Sequence, residues 1–203
     1  MAGQDGLRIG VFGGTFDPPH NGHLALAERC REALELDQVL FVPCGRPALK
    51  GRAAVAGGHR LAMVRAALDG RPEFAVSDLE LARAGVSYTA DTMAELARAQ
   101  PTARWWLLLG LDALVDFPRW RRPAAILAVA ELAVVARPGL ARDEVSAALP
   151  GWVRARVTWV PMPPLDLASR AIRAELAAGR SVRSLVPAAV ADYIAKQRLY
   201  RDA

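Results

Sequence analysis

Six short apolar runs punctuate the chain: LRIGVF (7–12), QVLFVP (38–43), FAVSDL (74–79), RWWLLLG (104–110), LAVVAR (132–137) and RVTWVP (156–161). Rich in β-branched and aliphatic residues, each reads as a strand. Most of the intervals between them carry a helical period instead. Leu24, Ala27, Cys30, Arg31 and Leu34 recur at three- and four-residue steps, as do Leu61, Val64, Ala67 and Leu68, and later Met93, Leu96 and Ala97. Strand–helix alternation of this kind predicts an α/β fold, a Rossmann-like doubly wound parallel sheet with helices on both faces and right-handed crossovers. From about residue 162 onward the chain reads as two or more helices with no strand between them. Residues 1–203 are therefore expected to form a single domain, an α/β core over about 1–161 with a small C-terminal helical extension over about 162–203. In such a sheet ligands gather where strands end, so residues just after each run are the candidates for chemistry.

Composition narrows the classes of partner. Hydrophobic residues make up 53% of the chain, enough for a sizeable core. No apolar run reaches the ~18 residues that suggest a membrane span. The start, MAGQDGLRIGVF, lacks the basic, apolar and small-residue succession of a signal peptide, so a cytoplasmic protein is expected. Cys30 and Cys44 form no CxxC and are expected to be reduced thiols. The net charge is +5, yet Lys50 and Lys196 are the only lysines among 26 basic residues, and the arginines are scattered. No basic stripe emerges, which argues against nucleic acid as a partner. Anionic small molecules fit the charge better.

FGGTFDPPHNGH, residues 12–23, holds two of the three histidines and joins the first strand to the first helix. It is neither GxGxxG nor GxxxxGK[ST]. Gly13 and Gly14 are expected to allow positive φ and close approach of a ligand. Pro18 and Pro19 stiffen the approach to His20, and Asn21 suits a helix cap. A helix start favours anions, and His20 and His23, one turn apart, can both donate to a phosphate. An HxxH pair can also hold a metal, but no cysteine or carboxylate is placed as a third ligand, so no metal ligands are assigned.

GGTFDPPHNGH resembles the HxGH loop of the nucleotidylyltransferase superfamily. With VPCGRPALK…HRLAMV, SYTADTM, LLLGLDAL…FPRW, VVARPG and VPAAVADYIAKQRLY following in order, the chain is similar to the nicotinate-nucleotide adenylyltransferase family along nearly its whole length. The resemblance implies transfer of the adenylyl group of ATP, with Mg²⁺ accompanying it, to nicotinate mononucleotide. Nicotinate adenine dinucleotide and pyrophosphate would form by direct attack without a covalent enzyme intermediate. It implies that His20 and His23 hold the ATP phosphates and offset charge, and that Gly13, Gly14, Thr15 and Phe16 line the nucleotide. Lys50, Arg137, Ser169 and Arg173 would lie near phosphate. Amides around Tyr88 and Thr89 would meet the nicotinate carboxylate, with Ser87 or Thr89 capping the helix there. Trp120 would stack on the ring, the Arg121 amide would help bind the carboxylate, and Asp112 would reach ribose hydroxyls.

The segment DLASRAIR (166–173) departs from the family, with Ala168 and Arg170 where hydroxyl residues are usual. Leu49 likewise replaces a histidine before Lys50. Two other readings stay open: a related transferase with a different acceptor, nicotinamide mononucleotide or pantetheine phosphate, and a nucleotide sensor without catalysis. The pattern leaves room for a homo-oligomer.

Overall fold

The computed structural model describes residues 6–47, 55–135, 142–163, 165 and 167–201. Its main sheet has six strands: β1 (Arg8–Gly14), β2 (Gln38–Pro43), β4 (Phe74–Val76), β6 (Arg104–Gly110), β7 (Ala130–Val135) and β8 (Val157–Val160), in the order β4-β2-β1-β6-β7-β8. β6 pairs in parallel with β1 and β7, and β7 with β8. Two further strands of two residues each, β3 (Arg46–Pro47) and β5 (Val86–Ser87), pair in parallel with one another. The doubly wound α/β expectation holds, with strand order turning at β1.

The chain divides into two compact units. One comprises the chain up to Phe12, residues 26–40 and residues 88–165. Its centre is β6, WWLLLG after Arg104, buried from Trp105 to Leu109. Such a run carries no alternation because both faces of a parallel strand are covered. Leu107 faces Leu132 across β6 and β7, and Ile9 faces Trp105 across β1 and β6. Helices α4 (Thr89–Ala99), α5 (Leu111–Asp116), α6 (Pro123–Leu127), α7 (Arg142–Ala148) and α8 (Gly151–Arg154) belong here. They contribute Met93, Leu114, Ile126 and Val153 to the buried set.

The other unit comprises residues 13–25, 41–87 and the described residues from 167 on. α1 (Asn21–Ala33) starts in it, and α2 (Gly57–Leu68), α3 (Leu79–Ala82), α9 (Ser169–Ala177) and α10 (Ala188–Gln197) lie within it. α2 buries Arg60, Met63, Val64, Ala67 and Leu68, one helical stripe that includes an arginine. α10 packs on α2 with Val190 and Ile194 buried. Phe16 and Phe41, both at 1% exposure, lie 5.6 Å apart between ring centroids, and Phe41 meets Phe74 at the same distance. Burying a phenylalanine to this degree contributes about 2–3 kcal/mol. The C-terminal helices form without an intervening strand, as expected.

Among the described residues no helix is long and apolar enough to cross a membrane. Cys30 and Cys44 are both free thiols. Burial pushes the Cys30 thiol up to about 12, so it is protonated and inert near neutrality. Burial also raises Cys44, against the opposing influence of its contact with Thr15.

Candidate active site

Residues 13–23, which begin with the last two residues of β1, belong to the second unit. Gly13 and Gly14 end the strand in ordinary extended geometry, and neither has positive φ. The left-handed residue of the loop is Phe16, with φ 49°. This corrects the expectation for the two glycines: the ring of Phe16, folded back by that conformation, is what demands a small residue at Gly14. A Cβ there would lie 2.9 Å from the ring. At Gly13 a Cβ would meet nothing within 4 Å.

Phe16 then packs edge-on against His23, with ring centroids 5.1 Å apart. His20 and His23 stack at 3.7 Å with 25° between their planes. The His20 backbone N–H donates to His23 Nδ1 at 3.1 Å, while the His23 N–H donates to the His20 carbonyl at 2.9 Å. The first of these bonds is one half of a capping box, with an imidazole where a glutamate is usual, while the second is an ordinary backbone bond of the first turn. Because Nδ1 accepts, the neutral His23 ring carries its proton on Nε2. His23 is half-buried, whereas His20 is 3% exposed. At Gly22 a Cβ would sit 3.1 Å from His20 Nδ1 and 3.3 Å from Leu167 Cβ, so the residue between the histidines has little room to grow. Asn21 is not the cap. It is the first residue of α1, its amide nitrogen donating to Ser184 O at 3.1 Å and its backbone N–H to Leu185 O at 3.0 Å.

The carbonyls of the loop face side chains from elsewhere in the unit. Arg60 Nη1 donates to Thr15 O at 2.8 Å, and its Nη2 to Gly45 O at 3.3 Å. Ser169 Oγ donates to Pro18 O at 2.9 Å, and Arg173 Nη1 to Asp17 O at 2.7 Å. Ser169 and Arg173, implied by resemblance to lie near phosphate, thus hold the backbone that carries the histidines. The Thr15 hydroxyl accepts from Cys44 Sγ at 3.8 Å. Asp17 is buried and accepts from the Tyr200 hydroxyl at 2.7 Å. Burial, that hydrogen bond and the Asp17 charge all push the Tyr200 phenol above its ordinary range, so it remains a donor. Arg170 is exposed.

The pyridine-side candidates lie in the first unit. Tyr88 immediately precedes α4, in extended geometry, and makes no side-chain cap bond. Ser87 is buried in β5 and Thr89 is already helical, so neither caps α4 as expected. The Arg121 guanidinium lies over the Tyr88 ring, 4.4 Å from its centroid. Trp120 follows a 3-10 turn over Phe117–Arg119 and is half-buried, 5.4 Å from Phe117 between ring centroids. Its Nε1 is buried and makes no hydrogen bond among the described residues. Arg122, left-handed at φ 52°, pairs with Asp91 in the first turn of α4. Tyr88, Arg121 and Asp91–Arg122 therefore converge at one helix start, with Trp120 adjacent in sequence. Asp112 is exposed in the first turn of α5, just past β6. Lys50 and Arg137 lie outside the described residues.

Sequence reading missed Arg60 and the Asp17–Tyr200 pair. Arg60 did leave a signal, since it falls on the apolar stripe of α2 with Met63, Val64 and Ala67. Tyr200 left none, because 183 positions separate it from its partner.

Known proteins resemble this chain in sequence and in fold. The cytidylyltransferase-like family model matches residues 11–175. A protein of Thermomicrobium roseum described as a probable nicotinate-nucleotide adenylyltransferase is 44% identical over 197 residues, covering 96% of this chain and 92% of the relative. One of Roseiflexus sp. with the same description is 45% identical over 199 residues, covering 95% and 98%. In fold, the chain is similar to the Plasmodium falciparum nicotinic acid mononucleotide adenylyltransferase complexed with NaAD. The TM-score is 0.79 at 18% identity, over 96% of this chain and 97% of that one. A family model matched over most of the chain, and relatives of one description that cover nearly all of it, place this chain in the nicotinate-nucleotide adenylyltransferase family, among the nucleotidyltransferases.

Proposed function

We propose that this protein joins ATP and nicotinate mononucleotide into nicotinate adenine dinucleotide, with release of pyrophosphate, as a step of NAD synthesis. The observation that carries the reading is the stacked His20–His23 pair, its geometry fixed by the His20 N–H to His23 Nδ1 bond at the start of α1. An oxygen of the mononucleotide phosphate forms a bond to the α-phosphorus of ATP. The bond from that phosphorus to the bridging oxygen breaks, and pyrophosphate leaves with the electron pair. No side chain becomes covalently attached, so catalysis is positioning and charge stabilisation.

The two imidazoles have different parts. His23, half-exposed, presents its Nε2–H to the phosphates as charge builds on their oxygens. His20 stacks behind it and adds the second imidazole of the pair. Gly13, Gly14, Thr15 and Phe16 form the strand end and turn that bring backbone to the nucleotide. Ser169 and Arg173 act mainly by holding Pro18 and Asp17. Lys50 and Arg137 are kept as phosphate contacts on the resemblance alone. Tyr88, Thr89, Trp120 and Arg121 take the pyridine ring and its carboxylate, and Asp112 the ribose.

The side chains around the loop are chiefly donors, and its one carboxylate, Asp17, is engaged by Tyr200. That set suits phosphate, so Mg²⁺ enters bound to the ATP substrate and neutralises part of its charge. The ligands are small molecules rather than nucleic acid.

The test is pyrophosphate release with matched acceptors. Nicotinate mononucleotide should be used well ahead of its amide counterpart. Preference for the amide, or for pantetheine phosphate, would overturn the acceptor assignment.

A further inference from the structure

Asp17 is a charged residue with no evident place in phosphate binding, since an acid beside ATP repels it. Its carboxylate is 3% exposed, and a buried charge is costly unless it accepts hydrogen bonds. Tyr200 meets that need across 183 positions of sequence, at 2.7 Å. The phenol is itself 5% exposed, with Met63 Sδ 4.0 Å from its oxygen. It gets there through two left-handed residues after α10, Arg198 at φ 52° and Tyr200 at φ 63°. Non-glycine residues seldom adopt that conformation, and two within three positions turn the chain back on itself. Between Asp17 and His20 lie only Pro18 and Pro19, whose φ angles are fixed by their rings. Movement at Asp17 is therefore passed on to His20 rather than absorbed.

We propose that Tyr200 is a positioning residue for the reaction. Its hydroxyl holds the Asp17 carboxylate, and through the rigid Pro18–Pro19 step sets where His20 and its stacked partner His23 stand. The inference rests on the reading of these imidazoles as the phosphate site.

Tyr200→Phe tests it, because the ring stays and only the hydroxyl goes. The expected result is a fall of about tenfold in kcat, since small misplacements of reacting groups are costly. The KM for nicotinate mononucleotide should move less than twofold. Adding Asp17→Asn to Tyr200→Phe should cost little more, because the two residues act as one unit. The imidazole nitrogen resonances of His20 and His23 should shift in Tyr200→Phe.

Wild-type kcat in Tyr200→Phe would overturn the proposal, even with a lowered melting temperature, for the hydroxyl would then be merely structural. So would additive losses in the double variant, or unmoved imidazole signals. The resonance measurement needs no turnover. If the wild-type protein proved inactive with these substrates, the functional reading would fall while the positioning claim was still decided by the spectra.

Discussion

The two groups of candidate residues are built on opposite plans. Around His20 and His23 the carbonyls of Thr15, Asp17 and Pro18 and the His20 N–H each meet a side chain, and the participants are largely buried: Arg60, Asp17, Tyr200 and Phe16 all lie at 5% exposure or less. Around the start of α4 the contacts are aromatic and ionic at the surface. Arg121 lies over Tyr88, and Arg122 pairs with Asp91 through side chains that are 54% and 36% exposed. The difference suits the part that the proposed function gives each group. A site that stabilises charge appearing during a reaction gains from being held in place beforehand, because no rearrangement is then needed at the moment of transfer. A site that recognises a flat ring gains from surfaces that can adjust to it.

That contrast can be broken. The largest effect should come from His23→Ala, which removes the Nε2–H donor. A fall of about 10²–10³-fold in kcat is expected, the size associated with loss of one preorganised donor. A loss of tenfold or less in steady-state kinetics would mean that the loop is not where charge is stabilised. Next comes Arg60→Met, which strips donors from the carbonyls of Thr15 and Gly45 while keeping some bulk. Denaturant unfolding should show a stability loss of about 2–3 kcal/mol, as for hydrogen bonds made by a buried charged group. Trp120→Ala comes third and should raise the KM for nicotinate mononucleotide about tenfold, equivalent to about 1.4 kcal/mol. The KM for ATP should hold. If both constants rose together, Trp120 would be serving the fold rather than the ring. The smallest change is expected of Arg122→Ala. An exposed ion pair contributes little, so unfolding should shift by less than about 1 kcal/mol. A larger shift would show that the helix start is as rigidly built as the loop, and the comparison would collapse.

Much of the fold was legible because its signals are local. The strands over 38–43 and 104–110 were read at their true limits, each being a continuous apolar run with polar edges. FAVSDL was read too long, since Ser77 and Asp78 already lead into α3 at Leu79. The run read at 132–137 starts earlier, at Ala130, because Glu131 interrupts the apolar pattern while still pairing with Trp106. β3 and β5 went unseen, as two residues cannot display a period. In the site the paired histidines were legible from spacing alone. Their surroundings were not. Ser169 and Arg173 read as phosphate ligands by resemblance, and only their contacts with Pro18 and Asp17 give them a mechanical part. Asn21 and Ser87 looked like caps because their side chains suit that position. Other partners claim Asn21, and β5 claims Ser87.

The Asp17–Tyr200 hydrogen bond has a consequence for how the enzyme comes into being. In synthesis the loop of residues 12–23 precedes Tyr200 by most of the chain. It does not receive the phenol that seats this motif until some 180 residues later. Nascent chains halted short of position 200 would thus carry the histidine loop without the hydroxyl that Asp17 engages, so this contact forms only once residue 200 has been made.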